Sequence, residues 1–293
     1  MQQLMLRPEE AASLALRRLY SCYGYSFYRM SRWEEYDFYA DKKDFLISPA
    51  VLTFTDADGR MKALRPDVTL SIIKHLGDAE GVHKFFYDEK VYRVPRNANT
   101  FREIAQSGIE CMGALTEGDV REVLELAVKS LETLAGGRRF VLDVAHAGVI
   151  ASLVHEHRQE VLECLANKNL YGLKALGADE ELLRLAEIEG RPSEVGGVRD
   201  EGLGVRDEGL GVRGLEVLST LREYDEVMRV DFSAVNSLSY YNGIVFRGFV
   251  EGIAEHVLSG GQYDDMMAAL GHKGAKAVGF AVNVGLAGGE RDA

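Results

Sequence analysis

Apolar residues along the chain follow two rhythms, helical spacing and short β-type runs, broken by one glycine-punctuated stretch that follows neither. Pro8, Glu9 and Glu10 lead into Ala11, Ala12, Leu14, Ala15, Leu16 and Leu19, which predicts an amphipathic helix ending near Gly24. Residues 51–55 and 61–64 flank Asp56-Ala57-Asp58-Gly59, where glycine can take positive φ, so a β-hairpin is expected. Pro66 and Asp67 open a helix through Leu70, Ile72, Ile73 and Leu76. Residues 83–93 and 101–112 read as two strands around a polar loop. Residues 117–134 carry Val120, Val123, Leu124, Leu126, Ala127, Leu131 and Leu134 at helical spacing, and a strand follows at 140–144.

From residue 147 to about 189 the pattern is helical and rich in leucine. A tandem duplication comes next: the heptad from Gly197 to Leu203 recurs unchanged from Gly204 to Leu210, with a partial third copy from Gly211 to Leu215. Two glycines per heptad cost about 1 kcal/mol each in a helix, and the copies are too few for a solenoid; a mobile surface loop is expected at 196–214. Residues 215–227 read as helix, 229–233, 243–250 and 276–282 as strands, and 263–270 as helix. Ser259-Gly260-Gly261 reads as a small turn. Strands joined mostly as hairpins and interleaved with helices predict an α+β fold, a mainly antiparallel sheet flanked by helices. The whole chain, 1–293, is expected to be one domain with a helical insertion over about 147–228.

With 293 residues and 46% hydrophobic content the chain can bury a substantial core. A formal charge of −12 gives no electrostatic reason to bind a polyanion, so nucleic acid is not an expected partner. The N-terminus shows no signal-peptide pattern, and apolar runs such as 277–282 fall far short of the roughly 20 residues that cross a bilayer. Cys22, Cys111 and Cys164 are widely separated and lack zinc-site spacing, which fits reduced thiols and a cytoplasmic protein. Phosphate-loop, dinucleotide, nucleophile-elbow and zinc-protease motifs are missing. His146, His155 and His157 do not share a metal-binding face and are read as solvated surface. No metal and no cofactor is called for.

The chemistry lies in a set of segments in fixed order: Arg65-Pro66-Asp67-Val68-Thr69; the strand 85–93 ending in Arg93; Gln106-x-Gly108-x-Glu110; Tyr240-Tyr241; Gly260-Gly261-Gln262-Tyr263-Asp264; and Ala277-Val278-Gly279-Phe280-Ala281. Together they resemble the class II aminoacyl-tRNA synthetase catalytic domain, histidyl-tRNA synthetase above all, over nearly the whole chain. Those enzymes aim arginines at ATP and at the charge that develops during adenylate formation. Arg93 keeps one such position. The acid two residues on is Pro95, and three further arginine positions fall on Thr100, Asn236 and Leu286.

The groups that in the family contact the amino acid are better kept. Asp67, Thr69, Arg93, Gln106, Glu110, Tyr240 and Tyr241 are the expected remnants of a histidine-like pocket, with acids for an ammonium and amide and phenol groups for an imidazole. Taken singly, Asp67 could instead cap a helix, Glu110 make a surface ion pair, and the tyrosines belong to the core. A synthetase core stripped of its catalytic charges resembles the regulatory subunits of ATP phosphoribosyltransferase. That resemblance implies no catalytic residues, a role in histidine biosynthesis, and a short-form catalytic chain as partner. It further implies a need for this chain in activity, histidine as effector, and a homodimer through the N-terminal region within a hetero-oligomer. No anticodon-binding domain is expected. The alternatives are an amino-acid-activating synthetase-like enzyme and a stand-alone amino-acid sensor.

Overall fold

Helix α1 (Pro8–Cys22) starts where the sequence pattern places it, with Pro8 at its first turn and a reciprocal cap between Arg7 and Glu10. The computed structural model to which it belongs describes residues 6–46, 48, 50–94, 99–195, 222–235, 238 and 240–287. Strands β1 (Ser26–Phe27), β2 (Trp33–Glu35), β3 (Thr53–Thr55) and β4 (Met61–Leu64) follow, with helix α2 (Tyr36–Ala40) between β2 and β3. Helix α3 (Thr69–Lys74) leads into the long antiparallel pair β5 (Val82–Arg93) and β6 (Arg102–Gly113), and helix α4 (Glu117–Ala135) into β7 (Phe140–His146). Four helices, Ala147–Leu153, Arg158–Ala166, Leu170–Ala175 and Glu180–Glu187, precede β8 (Glu189–Gly190). Strands β9 (Met228–Asp231), β10 (Ile244–Val250), β11 (Leu258–Gln262) and β12 (Lys276–Asn283) complete the order.

Among the described residues one nine-stranded sheet runs β1-β5-β6-β12-β11-β10-β7-β9-β8, antiparallel except for the β1–β5 and β7–β9 pairs, and β2-β4-β3 form a smaller sheet. This is the expected α+β architecture. The strand period of two gives the large sheet two unlike faces. One cross-strand row reads Phe86, Ile109, Phe280, Gly260, Phe246, Val144 and is buried in the main core under α1 and α4. The adjacent row, on the opposite face, reads Tyr87, Gly108, Ala281, Ser259, Arg247, Asp143. It is partly roofed by a second core holding Ile72 and Ile73 of α3, Tyr240, Tyr263 and Met266.

Four expectations are corrected. Residues 259–261 are not a turn but the middle of β11, in the centre of the sheet. Glycine is required there by close packing, because a Cβ on Gly260 would collide with Phe280 and one on Gly261 would lie 2.6 Å from the Tyr241 ring. His146 is not surface; it is 7% exposed at the end of β7, and burial pushes its imidazole down to about 4. The strand expected at 229–233 ends at Asp231, whose carboxylate accepts the Ser233 N–H and turns the chain into a 3-10 turn. The helix expected from Pro66 starts only at Thr69. The heptad repeat at 196–214 lies outside the described residues, as do Pro95 and Asn236. Of 215–227, Arg222–Val227 is described and is a 3-10 helix.

Candidate functional site

Arg65 is where the site is anchored. It is 3% exposed, its Nε donates to Lys90 O at 2.5 Å, Nη1 reaches Met30 O and Ser31 O at 3.3 Å, and Nη2 pairs with Glu89 at 2.5 Å. The guanidinium thus ties the β1–β2 connection and the start of the Pro66–Asp67 turn to β5. The next two residues carry the turn across the polar face of the sheet. Arg93, at the end of β5, donates from Nε to Pro66 O at 2.5 Å and from Nη2 to Asp67 Oδ2 at 3.1 Å. The other Asp67 oxygen accepts the Leu70 N–H at 2.9 Å. Asp67 therefore both caps α3 and pairs with a buried arginine. Burial raises its pKa, and Arg93 with the backbone N–H groups of Leu70 and Thr69 opposes the rise.

Glu110 has no such cation among the described residues. It is 2% exposed on β6, accepts from Thr69 Oγ1 at 2.5 Å, and bonds the Tyr263 hydroxyl with its other oxygen. Desolvation pushes this carboxyl up to about 8, the two hydroxyls oppose the rise, and the nearby Asp67 adds to it. The surface ion pair that was one reading of Glu110 is thereby excluded. Gly279 lies against it on β12, where any Cβ would collide with the carboxylate. The Tyr240 and Tyr241 rings meet at a 4.6 Å centroid separation with their planes inclined by 59°, Tyr241 lies against Gly261, and burial raises both phenols.

All seven residues singled out in the sequence, Asp67, Thr69, Arg93, Gln106, Glu110, Tyr240 and Tyr241, line one cavity, together with Tyr87, Ser259, Tyr263 and Ala281. Its void is about 30 Å³, close to one water molecule's share of the liquid, so a ligand the size of an amino acid needs lining side chains to move. Gln106 is 8% exposed and Tyr87 2%, and both line the cavity. An amide and a phenol can each donate and accept, so this wall can hydrogen-bond a polar guest. Sequence reasoning missed Tyr87 and the role of Tyr263. Tyr87 sits in an aromatic strand where a core assignment is natural, and Tyr263 carries no local signal beyond its glycine-rich neighbourhood. Thr100 is exposed, and Leu286 packs against the main core.

A family model described as histidyl-tRNA synthetase matches residues 5–285. An ATP phosphoribosyltransferase regulatory subunit from Clostridium kluyveri is 28% identical over 293 aligned residues, covering 92% of this chain and 74% of that protein. The crystal structure of an ATP phosphoribosyltransferase regulatory subunit/histidyl-tRNA synthetase from Bacillus halodurans C superposes with a TM-score of 0.78 at 24% identity, over 96% of this chain and 78% of that one. The HisG:HisZ ATP phosphoribosyl transferase complex from Thermotoga maritima gives 0.71 at 21% identity, over 96% and 98%. Both structures show the same fold, and the resemblance read from the ordered motifs is borne out.

Proposed function

The chain belongs to the histidyl-tRNA synthetase family, and we propose that within it this protein is the catalytically silent regulatory subunit of an ATP phosphoribosyltransferase, acting in the first step of histidine biosynthesis. Its partner is a short-form catalytic chain that needs it for activity, and histidine is the effector, received in the cavity around Glu110. The chain works as one synthetase-like domain with a helical insertion at about 147–228, as a homodimer within the hetero-oligomer in the cytoplasm.

One observation carries the ligand reading: Gln106, Tyr240 and Tyr241 line a single cavity with the Asp67–Arg93 pair and a Glu110 carboxyl held by two hydroxyls. The partner reading is supported by the regulatory-subunit relative and by the two-component complex of the same fold. Silence is supported by the positions of Thr100 and Leu286 and by the engagement of Arg93 with Asp67 and Pro66 O. Mixing the purified chain with a short-form catalytic chain and following phosphoribosyl-ATP formation tests the proposal. Activity is expected only with both chains present, and histidine is expected to depress it. A catalytic chain that is fully active alone, or unmoved by this one, overturns the reading.

A further inference from the structure

Strands β8 and β9 are antiparallel neighbours, with Glu189 opposite Asp231 and Gly190 opposite Val230. Residues 191–227, which join them, are therefore the connection of a β-hairpin, and the duplicated heptads from Gly197 to Leu210 belong to it. Two residues can join such a pair, so nothing in the register of β8 and β9 calls for the heptads. Both ends of the connection are held by the body of the protein. On the leaving side, in the short helix Pro192–Val195, Pro192 is buried and Val195 packs against the main core. On the returning side Tyr224 and Val227 pack against the same core, and Glu223 accepts from Arg121 of α4 at 2.7 Å.

The two ends are also fastened to each other. Ser193 gives its N–H to one oxygen of Asp225 at 2.8 Å and its hydroxyl to the other at 2.6 Å. Asp225, 32 residues away in the chain, thus takes the part of an N-cap acceptor for the helix Pro192–Val195. Arg191, one turn earlier, pairs with Glu226 at 2.8 Å. We infer that the fold does not depend on the copy number of the heptad: the Ser193–Asp225 and Arg191–Glu226 clamp fixes where the connection leaves and returns, which makes whole heptads removable. Extra length between fixed ends costs only a weak, logarithmic loss of entropy. The inference concerns the fold alone and stands whatever ligand or partner the protein has.

Deleting residues 204–210, and in a second variant 197–210, from the otherwise full chain and following thermal unfolding tests it. Melting temperatures are expected to stay within about 3 °C of the native chain, and to rise rather than fall, because a shorter connection loses less entropy on folding. Asp225→Ala is expected to lower the melting temperature by about 2–4 °C, the worth of a lost cap. That loss should be the same in the native and the shortened chains, since clamp and heptads act independently. A fall of about 5 °C or more on removing a heptad, or a shortened chain that does not fold, shows that the heptads hold the body together and overturns the inference. An Asp225→Ala loss that is nil in the native chain, or that changes once the heptads are gone, overturns the part given to the clamp.

Discussion

Two buried carboxyl groups share the cavity and differ in one respect, a cation. Asp67 has Arg93; among the described residues Glu110 has only hydroxyls. A carboxyl whose folded-state value is raised to about 8 from the ordinary 4.5 holds a proton that the unfolded chain has already released. Between those values the folded state binds more protons, so stability is fullest below pH 4.5 and is lost as the pH rises toward 8, by at most about 1.4 kcal/mol per pH unit. His146 works in the opposite sense, its depressed value removing stability as the pH falls from 6.5 toward 4. The interval from pH 7 to 8 lies above the range of His146, and a comparison with Glu110→Gln separates Glu110 from Asp67, which burial also raises. Urea midpoints of the native chain are expected to fall across it, and those of Glu110→Gln, whose amide keeps the shape and cannot ionise, to fall less steeply. Parallel slopes in the two proteins would show that Glu110 is already ionised in the fold.

The elements that carry the site are held by close approach and by one clamp. Gly279, on β12, meets β6 so tightly that an added methyl would collide with Glu110 and come within 2.5 Å of Ile109 O. Gly279→Ala is expected to cost about 1–3 kcal/mol, as overpacking does, whereas Gly118→Ala, with only the Thr116 hydroxyl at 3.5 Å, should be nearly neutral in the same denaturation experiment. Arg65→Leu removes the buried partner of Glu89 and the donors to three carbonyls; about 3–5 kcal/mol is expected. A loss no larger than that at an exposed pair such as Arg184–Glu180 would show that the clamp is not what joins β5 to the β1–β2 connection. The same elements explain what could be read beforehand. The long strands β5 and β6 and helix α4 declare themselves because many residues repeat one period. Strand β11 does not, since its Leu-Ser-Gly-Gly-Gln sequence is dictated by neighbours distant in the chain, Phe280 and Tyr241. That the seven residues meet at one cavity was legible through their order in the chain. Their partners Tyr87 and Tyr263 were not, because a tyrosine at a strand position carries the same pattern whether it fills a core or faces a cavity.

At the scale of the whole molecule the two faces of the large sheet divide the labour. The face under α1 and α4 is apolar and holds the fold together, while the opposite face carries Gln106, Glu110, Ser259 and Arg247. Recognition needs that face only to present donors and acceptors to a small guest. Adenylate formation needs more, a set of cations preorganised around a triphosphate, where losing a single donor costs about 2.7–4 kcal/mol. Here Thr100 is exposed without a charge to give, Leu286 is packed into the core side, and Arg93 spends its Nε and Nη2 on Pro66 and Asp67. Binding and turnover should therefore come apart in one preparation. Histidine at 100 times its dissociation constant is expected to stabilise the fold by about 2.7 kcal/mol, visible as a raised melting temperature. In the same tube, with magnesium and ATP, histidine-dependent exchange of pyrophosphate into ATP should stay at background. Exchange above background would mean that the remaining lining guanidinium, Arg93, suffices for activation, and would place the protein among the enzymes of its family.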